Sequence, residues 1–148
     1  MRNLLVFFHL AGAILWMGGM GFVLFALRPA LAATLQPPER LRLLADVLHR
    51  FFWLVGLSIA LLLLTGGGLF ATAAGQDVPR GWHAMAGIGV VMVLLFGHIV
   101  ASPYRRLRRA VAASNWPDGA ARVAQIGLFV RINFALGWIA IAAVLLWR

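Results

Sequence analysis

The sequence predicts an all-α protein, an integral membrane four-helix bundle with both termini outside, and three observations carry that expectation. Of its 148 residues 63% are hydrophobic, and only Glu39, Asp46, Asp77 and Asp118 are carboxylates. Four apolar runs, roughly Leu4–Leu27, Phe51–Ala74, Trp82–Ala101 and Val123–Trp147, each reach the length of about 20 helical residues that a hydrocarbon core requires. All thirteen basic residues are arginines, and most gather in the first and third connections. With no cysteine in the chain, disulfides, thiolate catalysis and cysteine-ligated iron–sulfur clusters are excluded.

A single domain over residues 1–148 is expected, with helices near 4–28, 44–74, 82–102 and 123–147. The first run follows Arg2 and precedes an "ALA" at 30–32 that resembles a signal cleavage site. It is longer than the roughly 7–15 residues of a signal core, and Arg28 and Pro29 stand before that site, so it is expected to stay in the protein. Pro29 reads as a helix stop and Pro37–Pro38 as a turn, after which Glu39 marks the first turn of a second helix that begins ahead of its apolar run. "TAAGQDVPRG" reads as a short external loop, "YRRLRRAVAASNW" as a short amphipathic surface helix, and "SNWPDGAAR" as a turn. No internal repeat, low-complexity tract or second domain is legible.

The charge of +9 is a topology signal rather than a nucleic-acid footprint. Arg28, Arg40, Arg42 and Arg50 flank the first connection. Arg105, Arg106, Arg108, Arg109 and Arg122 lie in the third, with Arg131 just inside the fourth helix, and Arg2, Arg80 and Arg148 remain for the other side. By the positive-inside rule the first and third connections are expected to face the cytoplasm, and both termini and the second loop to face outward. Anionic lipid is the expected surface partner of the basic stretch.

The four histidines divide by depth. His9 and His83 fall near the outer ends of the first and third helices, His49 and His98 near the inner ends of the second and third. His83 and His98 are 15 positions apart, about 22 Å of helix rise, and face within about 60° of one direction. Such a layout suits two b-type haems stacked across the bilayer, the outer one held by His9 and His83 and the inner one by His49 and His98. Arg50, Arg105 and Arg131 stand where propionates need cations. Gly12 and Gly87, one turn on from His9 and His83, would clear the faces the two histidines share. The expected function is electron transfer, with a quinone or a small redox protein as partner and a homodimer left open.

Plainer readings apply to the same residues. Glycines in membrane helices usually serve close packing, and histidines near interfaces are often wetted polar groups. Deep histidines such as His9 and His98 mark functional sites by default. His9 has no acid or amide within one turn on its own helix, so its imidazole needs a partner on another. Met17 with Met20, and Met85 with Met92 at i, i+7, could form soft Cu(I) sites with His9 and His83, although helical methionine is usually packing.

Four stretches, "FHLAGAILWMGGMGFVLFALRPAL", "HRFFWLVGLSIALLLLTGGG", "GWHAMAGIGVVMVLLFGHIVASPYRRLRRA" and "LFVRINFALGWIAIAA", resemble the copper-resistance D (CopD) family of bacterial membrane proteins over nearly the whole chain. That resemblance implies copper handling as the alternative function. The His9–Trp16 spacing and the "GW" opening the third helix are more distantly similar to the HemJ-type protoporphyrinogen oxidases. In those proteins a lysine stands early in the third helix; here Met85 is in that neighbourhood and the chain has no lysine. The two-haem layout resembles small four-helix cytochromes b.

Overall fold

The computed structural model describes residues 1–75 and 77–147, and no strand occurs among them. Helix α1 (Arg2–Phe22) runs through a π-helical turn, Val23–Leu27, into α2 (Arg28–Thr34). Helix α3 spans Pro37–Thr72. Helix α4 (Arg80–Ile99) runs through a second π turn, Val100–Tyr104, into α5 (Arg105–Ala112), and α6 spans Trp116–Leu146. The result is four continuous rods of 33, 36, 33 and 31 residues, each apolar enough to cross a membrane. Arg148, counted above with the outer charges, lies outside the described residues.

At 1.5 Å per residue these rods are about 45–55 Å long, well beyond a hydrocarbon core of about 30 Å. Their surplus lies at the arginine-rich end, where helix replaces most of the expected loops. Only Leu35–Gln36 and 113–115 interrupt the rods there. A local apolar stripe explains why. Leu41, Leu44 and Leu48 of α3 recur at i, i+3, i+7 and are at most 4% exposed; they pack with Leu107 and Ala110 of α5 and Ile126 of α6. This is ordinary hydrophobic burial, about 1.5–3 kcal/mol for each large side chain. Arg105, Arg106, Arg108 and Arg109 stay on the exposed face. The basic stretch is therefore a docked extension of α4, not a separate surface helix.

Two expected breaks are corrected by the backbone. Pro29 does not stop the first helix. Proline lacks an N–H and its ring clashes with the carbonyl four residues back, and the preceding turn widens so that the Arg28 N–H bonds to the Val23 carbonyl instead. Pro103 sits inside the matching π turn between α4 and α5. The "SNWPDGAAR" segment is mostly helix rather than turn: Asn115 Oδ1 accepts the Asp118 N–H at 3.2 Å, Pro117 occupies the first turn, and Arg122 bridges back to Asp118 at 3.0 Å. Arg131 consequently stands about four turns into α6.

The architecture repeats even though the sequence does not. α1 packs chiefly on α3 and α4 on α6, so the bundle is two helical hairpins side by side. His9 precedes Pro29, and His83 precedes Pro103, by the same spacing. Both termini lie at the end away from the arginines: Gly81 N–H donates to the Trp147 carbonyl at 3.0 Å, and Leu5 packs on Gly68. Outward side chains such as Leu64 (76% exposed) and Phe25 (71%) present the apolar surface that lipid covers.

Candidate functional site

Glycine and alanine decide where the bundle is open. Gly12 lets α1 approach the Ser58 carbonyl of α3, where an added Cβ would stand 3.2 Å away, and Gly19 receives the ring of Phe51. Gly12 thus serves the α1–α3 contact and not a face shared with His83, while Gly87 has open space beside it. Between the two hairpins, in the half that carries the termini, small residues including Ala13, Gly66, Gly89 and Ala140 leave a cavity of about 380 Å³. Trp16 lines it and is 5% exposed. Towards the arginine end an aromatic column fills the bundle: Trp16–Phe96, Phe96–Phe52 and Phe52–Tyr104 have ring centroids 6.4, 5.5 and 5.0 Å apart.

Four soft or nitrogen donors reach this one cavity: His9 and Met17 from α1, Met85 and Met92 from α4. The imidazole of His9 lies over Gly66, where an added Cβ would stand 3.3 Å from Cε1. Its Nδ1 is 3.0 Å from Thr65 Oγ1. That hydroxyl donates its single proton to the Leu61 carbonyl at 2.6 Å, so towards the ring it accepts, and Nδ1 carries the hydrogen. Nε2 is left with its lone pair, the form in which histidine binds metals, with the second nitrogen fixed by an outer partner. The partner of His9 is therefore Thr65 on α3, not His83.

Two of the methionines, Met17 and Met92, meet at α6. Met17 sets its thioether sulfur against Gly137, and Met92 Cε stands 3.3 Å from where a Cβ would be there. Asn133, 1% exposed, donates to the Met92 carbonyl at 3.3 Å and ties α4 to α6 beneath the cavity. Met20 does not join them; it is 2% exposed in the packed core.

The other expected ligands lie elsewhere. His83 is exposed, its ring 5.6 Å from Phe70, a residue that lines the cavity. His49 is exposed on α3, and His98 is exposed on α4 with its ring edge-on to Phe129 at 5.2 Å. The two cavities at the arginine end are lined without either of them. Arg50, Arg105 and Arg131 are exposed. Of the four histidines, His9 lines the cavity in the half that carries the termini.

Among the described residues no three His, Cys, Asp or Glu side chains come together. What the cavity offers is neutral sulfur and nitrogen, a donor set for a soft monovalent ion rather than a hard divalent one.

The family model described as copper resistance protein D matches residues 45–147, from within α3 to the end of α6, and so takes in Thr65, Met85, Met92 and Asn133 while His9 and Met17 precede it. No curated protein and no solved structure matches the chain. The matched segment exceeds two thirds of the sequence, and the chain belongs to the copper resistance protein D family.

Proposed function

We propose that this membrane protein handles copper, taking Cu(I) as cargo into the cavity between its two helical hairpins through His9 Nε2 and the thioethers of Met17, Met85 and Met92. The observation that carries this reading is the convergence of those four side chains, from two helices, on one cavity whose lining holds no carboxylate. Neutral sulfur and imidazole ligands leave the complex with a single positive charge, which an apolar pocket accommodates more readily than a divalent ion. By the positive-inside rule the arginine end faces the cytoplasm of a bacterial inner membrane and the cavity lies towards the periplasm. The aromatic column beneath closes the cavity on the cytoplasmic side, so the site is a terminus or holding point for the ion.

The test is a Cu(I) titration of the purified protein against a competing chelator. The parent should bind one Cu(I) per chain. His9→Ala, and Met17, Met85 and Met92 changed together to Leu, should each weaken binding at least about tenfold, because a lost ligand is not replaced; the leucines keep the volume. A reduced-minus-oxidised spectrum of the same preparation reads haem directly. A parent that carries two haems per chain and takes up no Cu(I) would overturn the copper reading in favour of a cytochrome.

A further inference from the structure

A half-buried arginine stands at the opposite end of the bundle. Arg28 follows the first π turn, and its guanidinium lies in the space that Gly127 of α6 leaves by lacking a side chain. Its Nη2 donates to the Val123 carbonyl at 3.5 Å, while Nη1 is buried with no hydrogen-bond partner among the described residues. Among the described residues no carboxylate pairs with it. Asp118, the acid on the facing stretch of α6, is bridged to Arg122, the sole ion pair among the described residues, and the charged neighbour acting on Arg28 is Arg131, a second cation. Beside it opens a cavity of about 240 Å³ lined by Arg28, Arg40, Leu31, Leu44 and Val123.

We propose that this cavity binds a phosphate group, with Arg28 and Arg40 as its two cationic walls. A guanidinium whose charge no carboxylate meets, and one of whose nitrogens is buried without a partner, is costly within a bundle unless an anion approaches it, and arginine matches phosphate oxygens through its planar fork of donors. The leucine and valine walls suit a phosphodiester that continues into acyl chains, so an anionic phospholipid of the leaflet at the arginine end is the source the lining favours; free inorganic phosphate shares the headgroup chemistry. The site is independent of the copper cavity.

Native mass spectrometry of the delipidated full chain in detergent tests this, with phosphatidylglycerol, phosphatidylcholine and inorganic phosphate as probes. The parent should retain one phosphatidylglycerol in preference to phosphatidylcholine. Arg28→Met and Arg40→Ala should each weaken that binding at least about tenfold, while Arg109→Ala, on the exposed face of α5, should not. Displacement of the lipid by millimolar inorganic phosphate would assign the site to the free anion; its persistence would assign it to the lipid. Should Arg28→Met lose its helical fold, Arg40→Ala decides alone, since Arg40 is only half-buried and leaves the Arg28 packing in place. Equal binding of the two lipids, or undiminished phosphatidylglycerol and phosphate binding in Arg40→Ala, overturns the proposal.

Discussion

Nδ1 of His9 lies 3.0 Å from Oγ1 of Thr65, and the threonine proton is already committed to the Leu61 carbonyl. This pair fixes the imidazole tautomer and joins α1 to α3 at the cavity wall. Thr65→Val keeps the shape and removes the acceptor. Cu(I) affinity should fall about 10- to 100-fold, the usual effect of losing an outer-shell partner, and Thr65→Ser should restore most of it. Chelator competition on the three proteins reads the difference.

Gly137 exists to admit the Met17 thioether. A Cβ there overlaps the sulfur, so Gly137→Ala should push the flexible Met17 side chain aside and destabilise the protein by about 1 kcal/mol, the low end of overpacking. Adding Met17→Ala to Gly137→Ala should recover part of that stability while Cu(I) affinity stays low. Thermal unfolding in detergent measures the first effect and titration the second.

The helical overhang at the arginine end should behave like a small soluble core. Leu107 is 0% exposed, so Leu107→Ala should cost about 2–5 kcal/mol. Leu64→Ala, on a side chain 76% exposed to lipid, should cost far less. Unfolding midpoints of the two variants in one detergent give the comparison.

Because the native chain has no cysteine, single cysteines report sidedness cleanly. Ala113→Cys, between α5 and α6, should be labelled by an impermeant maleimide only from the cytoplasmic side. Ala74→Cys, after α3, should be labelled only from the periplasmic side. Labelling of intact cells against inverted vesicles distinguishes the two, and the reverse pattern would contradict the assigned orientation.

The number of spans was legible because about 20 apolar residues in a row have few other meanings. Their ends were not: at the arginine end the helices are held by a three-and-four spacing of leucines, Leu41, Leu44 and Leu48, which total hydropathy hides under the arginines. Pro29 misled for a related reason, since a π turn absorbs a proline that a strict α-helix would reject. The depth of His9 and its need of a partner on another helix were readable from position alone. Its azimuth was not, because which helices are neighbours is set by where Gly12, Gly19 and Gly66 permit close approach, and that turned the imidazole to Thr65. Met85 and Met92 could be placed on one face by their i, i+7 spacing; that Met17 meets Met92 follows only from Gly137 on a third helix. Asn133 is a legible signal in its own right, an amide inside the apolar stretch of its helix.

X-ray absorption at the copper edge of the Cu(I)-loaded parent tests the central claim most directly, because it counts ligand types at the ion. A shell of three sulfur scatterers with one imidazole nitrogen, losing the nitrogen in His9→Ala and the sulfurs when Met17, Met85 and Met92 become Leu, is the result expected. A shell of nitrogen or oxygen alone, or one that none of these changes alters, would contradict it.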